Sequence, residues 1–482
     1  MNKPSGFRGS AVAAAVAIAL GVPALAHGGP RDVDSLVLDQ LRAQGRADIF
    51  IKISSDASLA GAESLGTKNA RAQYVYDTLT AHAEQSQQGV RRYLDQHAVN
   101  YQVFWINNTI LVRGASRELV NELAARPDVA LIRGNHLVKL DVIESSAKAA
   151  PDSTDAIEWG INKIRAPAVW ATGNTGQGVV VANVDTGVRY THQALVNQYR
   201  GNTGSGFDHN YNWWDPSHVC GNPSLAPCDN NEHGTHTMGT MVGGDGNGPF
   251  TNDIGVAPGA KWIAAKGCET NSCSEAALTS SAQFIACPTR LDGTAPDCTM
   301  APDVVNNSWG GGQHDPWYAS YVQAWQAAGI IPVFSAGNNG SGCNSMGSPG
   351  DYANVYGIGA ISINDTLASF SSKGPGQFRP QKPDFVAPGD NVRSSINTSD
   401  TAYGLLSGTS MAAPHMSGAV ALYLSARPAA TFRSINAVFK ASASHALNAP
   451  PGPDACGGRN FDVYPNFIYG NGRIDIGRAL GQ

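Results

Sequence analysis

From residue 159 onward the chain repeats one pattern: a short apolar run, a helical stretch, then another apolar run. The runs at 179–184, 262–265, 304–305 and 330–334 are rich in Val, Ile and Ala and show no strict apolar–polar alternation. Strands of that kind are buried on both faces. The stretches 276–285, 317–328 and 411–424 read as helices between or after them. Strands alternating with helices predict a parallel sheet covered by helices, an α/β fold.

The preceding residues follow a different rule. Residues 27–147 contain no Cys and read as a small α+β unit. A strand at 49–53 leads into a helix over 70–97, where Val75, Leu79, Ala83, Val90 and Leu94 recur at helical spacing. Strands at 101–105 and 109–113 flank a tight Asn107-Asn108 turn. A second helix starts at a Ser116 cap, carries Leu119, Val120 and Leu123 on one face and stops before Pro127. A last strand covers 129–132. The order β-α-β-β-α-β is ferredoxin-like. Residues 144–155 are rich in Ser, Ala and Asp without apolar period, and predict an exposed, cleavable linker.

The first residues read as a targeting segment. Lys3 and Arg8 precede the apolar stretch 11–20, and Ala24-Leu25-Ala26 is a small-residue cleavage signal before His27. That stretch is shorter than the ~20 residues a bilayer span needs, and no later segment is long and apolar enough. The expected division is a signal peptide at 1–26, the small unit at 27–147 and the α/β domain at 148–482, with no membrane span after cleavage.

Cysteine usage agrees with export. Cys220, Cys228, Cys268, Cys273, Cys287, Cys298, Cys343 and Cys456 make an even count, as expected in an oxidising compartment. Their short gaps suggest the pairs Cys220–Cys228, Cys268–Cys273 and Cys287–Cys298, which leaves Cys343–Cys456. None forms the C-x-x-C spacing of a zinc site. Charged residues are 15% of the chain and the net charge is -5, with no Lys/Arg run, which speaks against nucleic acid as a partner.

Four sites carry chemistry. Asp185 follows a buried strand and opens Asp185-Thr186-Gly187-Val188, at the strand end where open parallel sheets place functional groups. His233 opens His233-Gly234-Thr235-His236. Ser410 lies in Gly408-Thr409-Ser410-Met411-Ala412-Ala413-Pro414, at a helix start whose free N–H groups and dipole favour negative charge. Asn338 closes Ser335-Ala336-Gly337-Asn338 beyond the strand at 330–334. Taken singly, these are a turn Asp, a lone His, a helix cap and a turn Asn.

In the order Asp…His…Ser, with Asn before Ser, they are specific, and the chain resembles the subtilisin-like serine peptidases, the subtilases, most nearly the bacillopeptidase F type. The resemblance runs through 157–480 and includes Trp159-Gly160-Ile161-Asn162, Val256-Ala257-Pro258-Gly259, Asn306-Asn307-Ser308-Trp309-Gly310 and Ala387-Pro388-Gly389. It implies a secreted serine endopeptidase in which Ser410 is the nucleophile, His233 the general base and Asp185 its orienting partner. Asn338 and the Ser410 N–H would form the oxyanion hole. Ser308, Trp309 and Gly310 would pair as an edge with an extended polypeptide, leaving the Trp309 indole either a subsite wall or a buried structural ring. Ala336, Gly337 and Gly347 would line an uncharged specificity pocket suited to large apolar side chains, and the 268–274 loop would flank the substrate opposite. The small unit resembles an inhibitor-type propeptide, which would act as the enzyme's intramolecular inhibitor until degraded.

The chemistry implied requires no cofactor. Structural calcium is a possibility the resemblance raises for residues 243–253, where Asp245, Asn247, Asn252 and Asp253 offer oxygen donors without EF-hand spacing. An esterase or lipase would need G-x-S-x-G and the order Ser…Asp…His, and neither occurs. A non-catalytic relative or an exopeptidase on the same scaffold are the remaining alternatives.

Overall fold

The computed structural model describes residue 1 and residues 32–140, 157–244, 254–340, 342–376 and 381–482. Residues 2–26 of the expected signal peptide, the expected linker at 144–155 and the donors Asp245, Asn247, Asn252 and Asp253 lie outside the described residues.

The N-terminal unit contains β1 (Asp32–Val33), α1 (Ser35–Gln44), β2 (Arg46–Ile53), α2 (Lys68–Ser86), α3 (Gln88–Gln96), β3 (Tyr101–Phe104), β4 (Thr109–Ser116), α4 (Arg117–Ala124) and β5 (Val129–Gly134). Its sheet runs β1-β5-β2-β4-β3. The last four strands pair antiparallel and reproduce the expected ferredoxin-like order, to which β1 adds a parallel edge on β5. The Ser116 hydroxyl caps α4 as anticipated. The single helix expected over 70–97 is two helices. Gln87 at the junction is buried, and its amide donates to Phe104 O and Asn108 Oδ1 at 3.1 and 3.0 Å, a tertiary demand that helical periodicity does not reveal.

β6 (Leu137–Lys139) leads out of this unit. In the second part, α5 (Trp159–Lys163) and α6 (Ala166–Trp170) precede the sheet strands β7 (Val180–Asp185), β8 (Trp213–Trp214), β9 (Lys261–Lys266), β11 (Val304–Asn307), β12 (Ile331–Ser335), β13 (Tyr356–Ile361) and β14 (Phe385–Pro388); β10 (Ser272–Ser274) stands apart. The seven-stranded sheet has the order β14-β13-β12-β11-β7-β9-β8, and every neighbouring pair is parallel. β13 escaped the sequence pattern because Gly357 and Gly359 break its apolar run; a Cβ on Gly357 would lie 2.1 Å from Gly350 O.

α7 (His233–Val242) and α10 (Thr409–Ala426), with α11 (Phe432–Ser442), supply one face of the core. Every residue of α7 is buried. α8 (Glu275–Ala286) and α9 (Ala319–Ala327) cover the other face. β15 (Val392–Ser395) and β16 (Tyr403–Leu406) form a hairpin beside α7. The chain enters at β7 and places β9 on one side and β11 on the other. Parallel strands that diverge this way leave a crevice at their carboxyl ends.

The four bridges suggested by spacing are present: Cys220–Cys228, Cys268–Cys273, Cys287–Cys298 and Cys343–Cys456. Among the described residues no helix is long and apolar enough to cross a membrane.

The N-terminal unit lies on α8 and α9, with Ala72, Val75, Leu79 and Ile106 sharing their core. Charged groups ring this seam. Arg133 grips Glu275 with two nitrogens and reaches Asp315 at 3.0 Å, and Lys68 meets Asp303 at 2.7 Å. The start of α8 is capped across the seam, with Glu275 N donating to His136 O and Ala276 N to Asn135 Oδ1.

Candidate active site

Asp185 ends β7 and His233 begins α7. His233 Nδ1 lies 2.7 Å from Asp185 Oδ1, with both side chains almost wholly buried. Thr186 N and Thr237 Oγ1 donate to the two carboxylate oxygens at 2.7 and 3.2 Å. A carboxylate accepts only, so Nδ1 carries the hydrogen and Nε2 is left to take a proton. Burial disfavours a charged imidazole, yet the Asp185 carboxylate outweighs it, helped by Asp229 and Glu232, and holds the pKa above its ordinary 6.5.

Two features force this meeting. A Cβ on Gly234 would sit 2.1 Å from Gly187 O, so only glycine lets α7 start against the turn after β7. The Asp229 carboxylate then ties both segments together. It accepts from Thr186 Oγ1, from the N–H groups of Asn231, Glu232 and Thr235, and from Thr235 Oγ1. These satisfy N–H groups that a helix start leaves unpaired.

Ser410 is the second residue of α10. Its hydroxyl donates to Ser308 O at 3.1 Å, and the Ser308 hydroxyl donates back to Ser410 O at 2.8 Å. Asn338 stands beyond β12. Its Oδ1 accepts from Thr409 N and Thr409 Oγ1, each at 2.9 Å. That pins the amide by its oxygen and turns Nδ2 toward Gly408, 3.4 Å from where a Cβ there would lie. The amide nitrogen therefore lies beside the start of α10, a placement suited to a developing oxyanion.

The expected pocket residues also converge. Gly347 N donates to Ala336 O at 3.0 Å and Gly337 N to Thr409 Oγ1 at 3.2 Å. Opposite them, Gly311 N donates to Ser348 O, which brings the segment after Ser308–Gly310 against Gly347. With the N-terminal unit in place the Trp309 indole is a buried ring. It is 2% exposed and packs edge-on against Tyr318 and Phe334, because side chains alternate along an extended segment and this one points into the core. β6 of the N-terminal unit pairs antiparallel with β10, Leu137 opposite Ser274 and Lys139 opposite Ser272, and Leu140 N continues to Asn271 O at 2.9 Å. Val138 lies 3.5 Å from where a Cβ of Gly311 would stand, so the segment runs between β10 and the 310–312 segment.

A profile of the subtilase family matches residues 176–472. The chain belongs to the subtilase family. It is 36% identical to bacillopeptidase F of Bacillus subtilis over 465 residues, 89% of this chain but 31% of that protein. It therefore spans about a third of that relative's length. Subtilisin E of Bacillus subtilis is 29% identical over 371 residues, 75% of this chain and 77% of that protein. M-protease of Shouchella clausii is 31% identical over 346 residues, 65% and 79% of the two chains.

In this subtilase a buried polar chain, which sequence reasoning missed, links the separate segments. Asn183 Nδ2 donates to Thr237 Oγ1 at 2.9 Å, and Thr237 reaches Asp185. Asn306 Nδ2 donates to Asn183 Oδ1 at 3.1 Å and to Ser308 Oγ at 2.9 Å, while Ser417 Oγ donates to Asn306 Oδ1. Through Ser308 the chain arrives at Ser410. The available signal was a polar residue inside each apolar strand, Asn183 in β7 and Asn306 in β11. Lys266, also missed, is buried at the end of β9; its ammonium donates to Thr186 O and to Asn230 Oδ1. Among the described residues no group of three or more His, Cys, Asp or Glu could hold a metal ion.

Proposed function

We propose that this subtilase is a secreted serine endopeptidase made as a zymogen. Ser410 attacks the scissile carbonyl, His233 Nε2 takes its proton and returns it to the leaving amine, and Asp185 orients and stabilises the charged imidazole. Asn338 Nδ2 and the Ser410 N–H hold the oxyanion. The observation that carries this reading is the buried Asp185–His233 pair at 2.7 Å, joined to Ser410 by an unbroken chain of buried polar groups.

The substrate is an extended polypeptide lying between β10 and Ser308–Gly310, its P1 side chain entering the uncharged pocket at Ala336, Gly337 and Gly347. Residues 27–147 act as the inhibitory propeptide and residues 1–26 as the export signal, with the mature enzyme in 148–482. The tail strand β6 occupies the side of the cleft where the substrate would pair, which supports inhibition by the propeptide. Eight cysteines, all bridged, suit an oxidising exterior.

A fluorophosphonate probe tests the reading directly. Wild type is expected to label at Ser410. Ser410→Ala is expected to lose about 10⁶ of turnover and to accumulate the uncut precursor, seen by intact mass. An unlabelled wild type, or a Ser410→Ala chain cut in the absence of other proteases, overturns it.

A further inference from the structure

β10 has three residues, and among the described residues its only sheet partner is β6 of the N-terminal unit. An extended segment so short and unpaired does not hold its own conformation in water. Each residue it must fix on binding a peptide costs backbone entropy. Yet β10 is the edge that the peptidase reading above requires to be ready once the propeptide has left.

The groups around it answer this need. Cys273 is the central residue of β10, and it is bridged to Cys268. Cys268 N donates to Asp185 O at 3.1 Å, so the bridge ties the middle of β10 to the strand end that carries Asp185. Both cysteines are 0% exposed, beneath the edge rather than on its rim. Glu269 closes the same loop from the other side. Its carboxylate accepts from Ser274 N at 3.0 Å and from Ser274 Oγ, and its own N–H donates to Ser272 O at 3.0 Å. The loop is the shortest of the four disulfide loops, and in the chain-entropy account a short loop contributes least to global stability.

We propose that Cys268–Cys273, with Glu269, is a staple that keeps the substrate-receiving edge extended when no strand is paired with it. It sets affinity for the residues N-terminal to the cut rather than the speed of bond breaking. This inference rests on the peptidase reading of the cleft.

The test uses the full chain, allowed to mature, with active sites counted by fluorophosphonate so that misfolded molecules drop out. Two substrates are compared: a peptide with four residues before the cut and an ester carrying one. In the double variant Cys268→Ser/Cys273→Ser, kcat/KM for the long peptide is expected to fall roughly tenfold more than for the ester, mainly through KM, because preorganisation is lost. Glu269→Ala, which leaves the bridge in place, is expected to shift the same ratio by a smaller factor. The control Cys220→Ser/Cys228→Ser leaves the ratio unchanged. A ratio unchanged in both Cys268→Ser/Cys273→Ser and Glu269→Ala overturns the staple, as does an equal loss on both substrates. A wild type that neither labels nor cleaves the ester overturns the peptidase reading instead.

Discussion

Beneath the candidate triad and across the seam with the N-terminal unit, the molecule joins segments far apart in sequence by two opposite means. Beneath the triad, Asn183, Thr237, Asn306, Ser308 and Ser417 pass hydrogen bonds between neutral, buried groups. Each such bond contributes about 1 kcal/mol net, but leaving one partner unmet in the interior costs ~1–3 kcal/mol. A network of this kind resists rearrangement. Across the seam charged pairs, Arg133 with Glu275 and Asp315 and Lys68 with Asp303, flank the apolar contacts of Ala72, Val75, Leu79 and Ile106. Charged groups regain their hydration when separated, so such pairs hold orientation at little net gain. One region resists rearrangement, and the other suits the parting that the proposed propeptide role requires.

The largest test of that contrast acts on the fixed region. Asp185→Asn keeps the shape but removes the charge that favours the Nδ1–H form of His233, and kcat is expected to fall about 10⁴-fold. The pH profile sharpens the result. Because the His233 pKa is held above 6.5, the neutral base appears only as pH rises through that higher value. In wild type kcat/KM therefore climbs with pH around a midpoint above 6.5, and activity is lost on the acid side. Asp185→Asn is expected to move the midpoint down. A midpoint that stays in place would separate Asp185 from the base. Next in size, Asn338→Ala should lower kcat by roughly 10²–10³ with KM nearly unchanged, since its amide acts on charge present only in the transition state. A loss carried by KM instead would make Asn338 a substrate-binding group.

Most of the fixed region was legible in the sequence because its chemistry sits in short, dense motifs at strand and helix ends. Asp185, His233, Asn338 and Ser410 are each flanked by small residues that permit close approach, and most of the buried strands declare themselves by apolar runs without strict alternation. What connects them was not legible. Asn183 and Asn306 look like interruptions of strands until the sheet sets β7 beside β11. The seam was almost wholly hidden, because charged residues on two surfaces carry no mark of being partners. β6 and β10 are three-residue strands whose pairing spans more than a hundred positions, and Trp309 could be placed in the core only once the direction of its segment was known.

The smallest expected effect, and the most discriminating, is at the seam itself. Arg133 is a quarter exposed while Glu275 is 3% exposed, so the two sides of one pair are unequal. With a wild-type propeptide added in trans, Glu275→Gln in the mature enzyme should weaken inhibition by roughly tenfold, less than a fully buried pair would lose, because Arg133 keeps Asp315 and some water. Arg133→Met in the propeptide should cost somewhat more, since it strands Glu275 under the interface with no cation. Combining the two should recover much of the loss, because the double change removes both desolvated charges together. Losses that simply add would mean that the pair contributes nothing as a pair. The seam would then be held by the apolar contacts of Val75, Leu79 and Ile106, and the contrast between a fixed interior and a charge-ringed, separable surface would fall.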